Sequence, residues 1–254
     1  FLNLRSKLSL FCNIILRSNG LKGKFFSHII VNVVLVALVL CISAVSLFGS
    51  AANVFHGQDY SPVYRGQSSD KVCLMINVYW GTEYLDGFLE IFEKYGVKAT
   101  FFVGGVWVAE NPQYVIKIHD AGHELGNHGF YHKMQSQLSY DGNVDEIVNC
   151  SKLVFSVCGV FPTLFAPPGG DFNDDTLKAA YDNGMKTVLW SRDTVDWRDK
   201  DSSLVYTRAT KETEGGELIL MHPTAHTLRV LEDIVKYYLD KNIQPVTVGE
   251  MLGV

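Results

Sequence analysis

From residue 72 to residue 247 the chain alternates short apolar runs with amphipathic stretches, and this alternation limits its possible folds more than any other feature. Runs rich in β-branched and aromatic residues occupy 72–78, 99–103, 124–127, 164–166, 187–190, 217–221 and 244–247. Between them the spacing predicts helices over 84–95, 112–121, 144–157, 174–183, 203–212 and 228–241. The first of these shows the logic. Leu85, Phe88, Leu89 and Phe92 recur as one apolar stripe, while Asp86, Glu90, Glu93 and Lys94 form the wet side. Gly96 then reads as the capping residue after the last turn, Asn111-Pro112 as a helix start and Asn183-Gly184 as a stop. Repeated strand–helix units imply parallel strands joined by right-handed crossovers, an α/β class. About seven units in roughly 180 residues predict a barrel smaller than the eight-fold one, with a doubly wound open sheet as the competing architecture. Both place chemistry at the C-terminal ends of the strands.

The segment before this body has a different character. Residues 29–48 are apolar and uncharged, interrupted only by Asn32, Ser43 and Ser46. About 20 helical residues span a hydrocarbon core of roughly 30 Å, so the expectation is one transmembrane helix over 28–49. A cleaved secretory signal is the rival, with Gly49-Ser50-Ala51 as its small-residue site. Residues 1–27 form a basic segment with Arg5, Lys7, Arg17, Lys22 and Lys24 and no acid, which predicts a cytoplasmic N-terminus and an extracytoplasmic body. The whole chain carries −5, and a +5 segment leaves −10 for the remainder. Such an acidic body argues against a nucleic-acid partner. Residues 50–70 are polar, rich in Gly and Ser and without period, and read as a linker to a domain over 71–254. Oligomeric state is not legible. The five cysteines make no disulfide framework: Cys150 and Cys158 fall on one predicted helix, about 12 Å apart along its axis, too far to bridge.

The strongest chemical signal is His128 and His132, four residues apart just after the run at 124–127. On one helical turn they would share a face, and both imidazoles could meet one metal ion. The surrounding stretch, GHELGNHGFYH, resembles the second motif of the NodB-homology polysaccharide deacetylases, carbohydrate esterase family 4. The stretches LFAPPGGDFND, LWSRDTVDW and ELILMHP are similar to the third, fourth and fifth motifs, in order, and VKATFFVGG to the second strand. The likeness covers about residues 72–252. It implies a distorted (β/α) barrel and the hydrolysis of N-acetyl groups on a cell-envelope glycan of the peptidoglycan or chitin kind. It also implies a divalent metal, zinc above all, bound by His128 and His132, with His222 as general acid. Asp193, Asp196, Trp197 and Trp190 would line or brace the groove with Pro168, Gly170 and Leu220. For His222 the bland alternative is a satisfied core histidine. The stretches NVYWGTEYL and HPTAHT also resemble a sub-group from spore-forming bacteria.

The departures from that pattern carry as much information. The first motif of the family, Thr-Phe-Asp-Asp-Gly, supplies the base and the third metal ligand. This chain reads Asn77-Val78-Tyr79-Trp80-Gly81, so Tyr79 stands at the base and Trp80 at the ligand. Ala166 replaces the arginine that braces the base. Losing a general base costs about 10²–10⁴-fold in rate. Asp171, after the Pro-Pro-Gly-Gly turn, is a candidate substitute carboxylate for the metal or the water, with Asp193 and Glu83 as further candidates; the alternative role of Asp171 is a turn or helix cap. Tyr79 and Trp80 are either core aromatics or faces for stacking sugar rings. Two functions follow: an altered deacetylase, or a catalytically silent glycan-binding module of the same fold.

Overall fold

The computed structural model describes residues 32–39 and 60–254. Residues 32–39 are helical; the rest of the apolar stretch and the basic segment, with Cys12 and Cys41, lie outside the described residues. Among the described residues no helix is long and apolar enough to cross a membrane. Residues 60–254 make one compact unit.

Eight strands form one sheet: β1 (Lys71–Val78), β2 (Thr100–Val103), β3 (Glu124–Asn127), β4 (Leu164–Phe165), β5 (Lys186–Thr187), β6 (Arg192–Asp193), β7 (Leu218–Met221) and β8 (Gln244–Val246). Their order is β5-β4-β3-β2-β1-β7-β6, and every pairing is parallel. β1 is the centre: its first half, Lys71–Cys73, pairs with β8, and its second half, Met75–Val78, with β2. The helices are α1 (Leu85–Tyr95), α2 (Gly105–Glu110), α3 (Pro112–Asp120), α4 (Tyr140–Cys158), α5 (Asp174–Asp182), α6 (Ser202–Thr210), α7 (Ala225–Asp240) and α8 (Val248–Leu252).

β1 is buried on both faces, as a parallel strand between two layers must be. Its alternation sorts the core. Val72, Leu74, Ile76 and Val78 face the helices, where they meet Leu85, Phe88, Phe92 and Trp107. Cys73 and Met75 face inward to Phe102, Leu164, Ala166, Val188 and Leu218. The expected stripe of α1 is the buried one, and Gly96 ends the helix at φ 62°. Side chains start several helices: Ser139, Asn173, Asp201, Thr224 and Thr247 each accept a backbone N–H of the first turn.

The sheet is a curled half-barrel, a coarser form of the expected barrel. No ladder joins β5 to β6; the gap is crossed by the extended segment around Val63 and Arg65. Val63 bridges Val188 beyond β5, and Arg65 bridges Glu217 before β7. Both residues fall in the stretch expected to be a linker. Their pairing is with distant strands, so no local period announces it. Short elements were also missed: α2 and α8 are six and five residues long, and β6 is two. Cys73, Cys150 and Cys158 are free, as expected.

Candidate active site

A groove of about 290 Å³ opens at the C-terminal ends of the strands, lined by Asn77, Tyr79, Trp80, His128, His132, Gly169, Trp190, Asp193, Trp197, Leu220 and His222. β1 delivers Asn77, Tyr79 and Trp80; the loops after β3 and β7 deliver the three histidines. Of the residues expected to form the site, Pro168 and Gly170 are not among the lining residues. Gly169 between them reaches the groove, while Gly170 lies so close under Trp190 that a Cβ would come within 2.8 Å of the indole.

His128 and His132 do come together, with ring centroids 4.9 Å apart, but not on a helical turn. They sit in a loop that turns back through Gly129 at φ 73° and His132 at φ 55°. The loop is held by acceptors aimed at its backbone. Asn127 Oδ1 takes the Gly129 N–H at 2.8 Å, and the buried Glu146 carboxylate takes those of Phe130 and Tyr131 at 2.9 and 2.7 Å. The pair expected from the spacing of four thus meets through a loop and not on a helical turn. His128 Nδ1 donates to the Ala166 carbonyl at 2.7 Å, which leaves Nε2 as its other nitrogen. Burial pulls the His128 pKa down to about 3, with His132 and then His222 adding to the effect, so the imidazole is neutral. Burial lowers His132 in the same direction.

His222 rests on Asp196. That carboxylate, fully enclosed, accepts from His222 Nδ1 at 2.8 Å, from the His222 backbone N–H at 2.7 Å and from the Thr227 hydroxyl at 2.5 Å. The Nδ1 proton is thereby fixed, and Nε2 is the remaining nitrogen for the groove. Asp196 braces and does not line. Its position depends on Val195, a β-branched residue at φ 52°, where such residues are strained. Asp193 Oδ1 accepts the Val195 N–H at 2.8 Å and Thr194 bonds the Leu220 carbonyl through both its N–H and its hydroxyl, which holds the loop in place.

The first-motif aromatics occupy the space between these histidines. Tyr79 stacks on His132 with centroids 3.5 Å apart and planes 16° apart. Trp80 stacks on His222 at 5.6 Å and 21°, and meets Tyr79 edge-on at 4.3 Å. Both are partly exposed, at 40% and 43%, which answers the question of core against surface. The expected divalent metal does not fit this donor set. Two imidazoles approach each other, the ligand position is an indole, and among the described residues no group of three or more ligating side chains forms. Asp171 does not repair the set. Both of its oxygens are taken by Ser136, at 2.7 Å from the backbone N–H and 2.8 Å from the hydroxyl, outside the groove lining. Asn173, two residues on, is the helix cap, in a reciprocal box with Thr176. Asn77 was missed as a lining residue; its place on the inward phase of β1, two before Tyr79, is the signal that could have found it.

Comparison with known proteins accords with this geometry. A sequence model of the polysaccharide deacetylase family matches residues 65–188. The chain is 39% identical over 193 residues to the Bacillus subtilis protein YlxY, covering 75% of this chain and 60% of that protein's length. It is 32% identical over 170 residues to a peptidoglycan-N-acetylglucosamine deacetylase of Bacillus cereus, covering 65% of this chain and 79% of the relative. Among solved structures, a carbohydrate esterase family 4 pseudoenzyme from Bacillus anthracis superposes with a TM-score of 0.74 at 35% identity, covering 76% of this chain and 69% of that one.

Proposed function

Because the chain belongs to the polysaccharide deacetylase family, we propose that its groove takes up an N-acetylated cell-envelope glycan of the peptidoglycan class, as a deacetylase-like hydrolase with an altered catalytic set. The observation that carries this reading is the groove itself. Exposed indoles of Trp80 and Trp197 and the phenol of Tyr79 surround three imidazoles at the strand ends, and aromatic faces of this kind pack on sugar rings. The Bacillus cereus relative, whose name gives peptidoglycan N-acetylglucosamine as its target, supports the choice of glycan.

The chemistry that remains is partial. His222, with its tautomer set by Asp196, can hold a proton at the groove for a departing amine. Tyr79 stands at the position of the family's base, the groove's lining carboxylate is Asp193 with one oxygen on the Val195 N–H, and the metal that polarises the acetyl carbonyl in this family has no complete ligand set among the described residues. Hydrolysis should therefore run about 10²–10⁴-fold below that of a relative with the full set. A second reading, a silent glycan-binding module, is favoured by one contact: the Tyr79 ring covers His132 at stacking distance. The Bacillus anthracis structure, described as a pseudoenzyme, points the same way. The basic segment and apolar stretch before the domain support an extracytoplasmic, membrane-tethered placement.

Acetate release and binding of N-acetylglucosamine oligomers, measured on wild type and on His222→Ala and Trp197→Ala variants, test the proposal. Binding weakened by Trp197→Ala with slow, His222-dependent release is the expected result. Binding without release establishes the silent module. Absence of binding overturns both.

A further inference from the structure

Asn77 is the last inward-facing residue of β1, directly above Cys73 and Met75 of the inner core and below Tyr79 of the groove. It lies opposite Phe102 of β2, one residue beyond the pairing of Ile76 with Met221. The residue is 3% exposed and lines the groove, and its Oδ1 is buried without a hydrogen-bond partner among the described residues. A buried acceptor left unpaired is costly, and an orphan of this kind at the floor of a groove is best explained by a donor that arrives with a ligand.

The surroundings restrict what that ligand group is. Around it the lining is mostly aromatic and apolar, with Trp190 and Leu220 on the inner wall and the Tyr79 ring stacked on His132. Asp193 is the groove's carboxylate, and one of its oxygens already accepts the Val195 N–H. A neutral amide on such a floor matches another neutral amide, which offers an N–H to Oδ1 and a carbonyl in return. At Asn77 itself an ammonium group would meet a neutral acceptor in place of a countercharge.

We propose that the Asn77 side-chain amide pairs with the acetamido group of the bound sugar, which makes Asn77 a specificity-determining residue for N-acetylated over de-acetylated glycan. This rests on the glycan reading of the groove and adds to it the group that is read. It also gives the altered first motif a positive role: where an anionic floor would favour the amine product, this floor retains the acetylated chain.

The full-length protein is titrated by calorimetry with N-acetylglucosamine tetramer and with its fully de-acetylated counterpart, for wild type, Asn77→Leu and Asn77→Asp. Wild type is expected to prefer the acetylated oligomer. Asn77→Leu should lose that preference by a factor on the order of ten. Asn77→Asp, isosteric but a buried charge, is checked for folding by circular dichroism and should shift the preference toward the amine. Wild-type discrimination in both folded variants would overturn the role of Asn77 while leaving the glycan reading standing. Failure of wild type to bind either oligomer would overturn the two together.

Discussion

At the residue scale the decisive contacts are those of buried acceptors with more than one donor. Asp196 is the clearest, since His222 uses it with both a backbone and a ring N–H and Thr227 adds a hydroxyl. Removing the carboxylate strands donors in the interior, and each such group costs about 1–3 kcal/mol. Asp196→Ala is expected to lose about 3 kcal/mol in urea unfolding, and Asp196→Asn, which keeps one oxygen, clearly less. A loss under about 1 kcal/mol in the alanine variant would show that Asp196 does not organise the loop. Sequence reading placed Asp196 near the site, yet its direction, toward His222 and away from the groove, follows from the strained Val195 and the anchored Thr194.

At the scale of elements, the end of β1 decides the chemistry. A strand that emerges inward at Cys73, Met75 and Asn77 must present residue 79 to the groove, so the identities of residues 79 and 80 translate directly into the donor set. The double substitution Tyr79→Asp and Trp80→Asp removes both stacked rings and supplies two carboxylates beside His128 and His132. It should raise zinc affinity by at least about 100-fold over wild type in competition with a chelator, since a third protein ligand converts a pair into a site. Equal affinities would mean that the loop carrying the histidines cannot close on a metal. The turn between α3 and β3 makes a separate prediction. His123 lies between Phe92 and Phe101, its Nδ1 accepts the Ala99 N–H, and burial, with Lys98 adding to it, pulls its pKa from 6.5 to about 4. The unfolded chain takes up that proton first. The contribution is thus whole above pH 6.5 and is lost as pH falls toward 4, by up to about 3 kcal/mol. In His123→Asn, which keeps an acceptor, the fall in unfolding free energy between pH 6.5 and 4 should be shallower than in wild type. An unchanged slope would rule out His123 as a source of it.

For the whole molecule, the closing piece is the segment before β1. Val63 takes hydrogen bonds on both sides, from its N–H to the Thr187 carbonyl and from the Leu189 N–H to its own carbonyl, and it packs on the inner core. Arg65 reaches Oε1 of the buried Glu217 at 3.3 Å, the same oxygen that Arg192 approaches at 3.3 Å. A chain beginning at Lys71 leaves the gap between β5 and β6 uncovered and Glu217 with one arginine fewer. It is expected to be less stable than one beginning at Tyr60 by about 2 kcal/mol or more in thermal or urea unfolding. Equal stability would mean that the half-barrel needs no closing segment.

The sequence by itself determined the α/β class, six helices, the wet and dry faces of the first of them, seven of eight strands, and the gathering of His128, His132, Trp197 and His222 at one end of the sheet. These follow from periodicity and order along the chain, which are local properties. It also showed that Tyr79 and Trp80 stand where the family has carboxylates. What only the tertiary structure decided is where the side chains between those landmarks point. Asp171 turned to Ser136 and not to the groove, Asn77 was left as an unpaired acceptor beneath it, and the aromatic pair settled on the histidines. The segment around Val63 became part of the barrel. Apart from the unpaired Asn77, each of these outcomes depends on a partner 35 or more residues away, and no periodic pattern in a single chain encodes a partner at that distance.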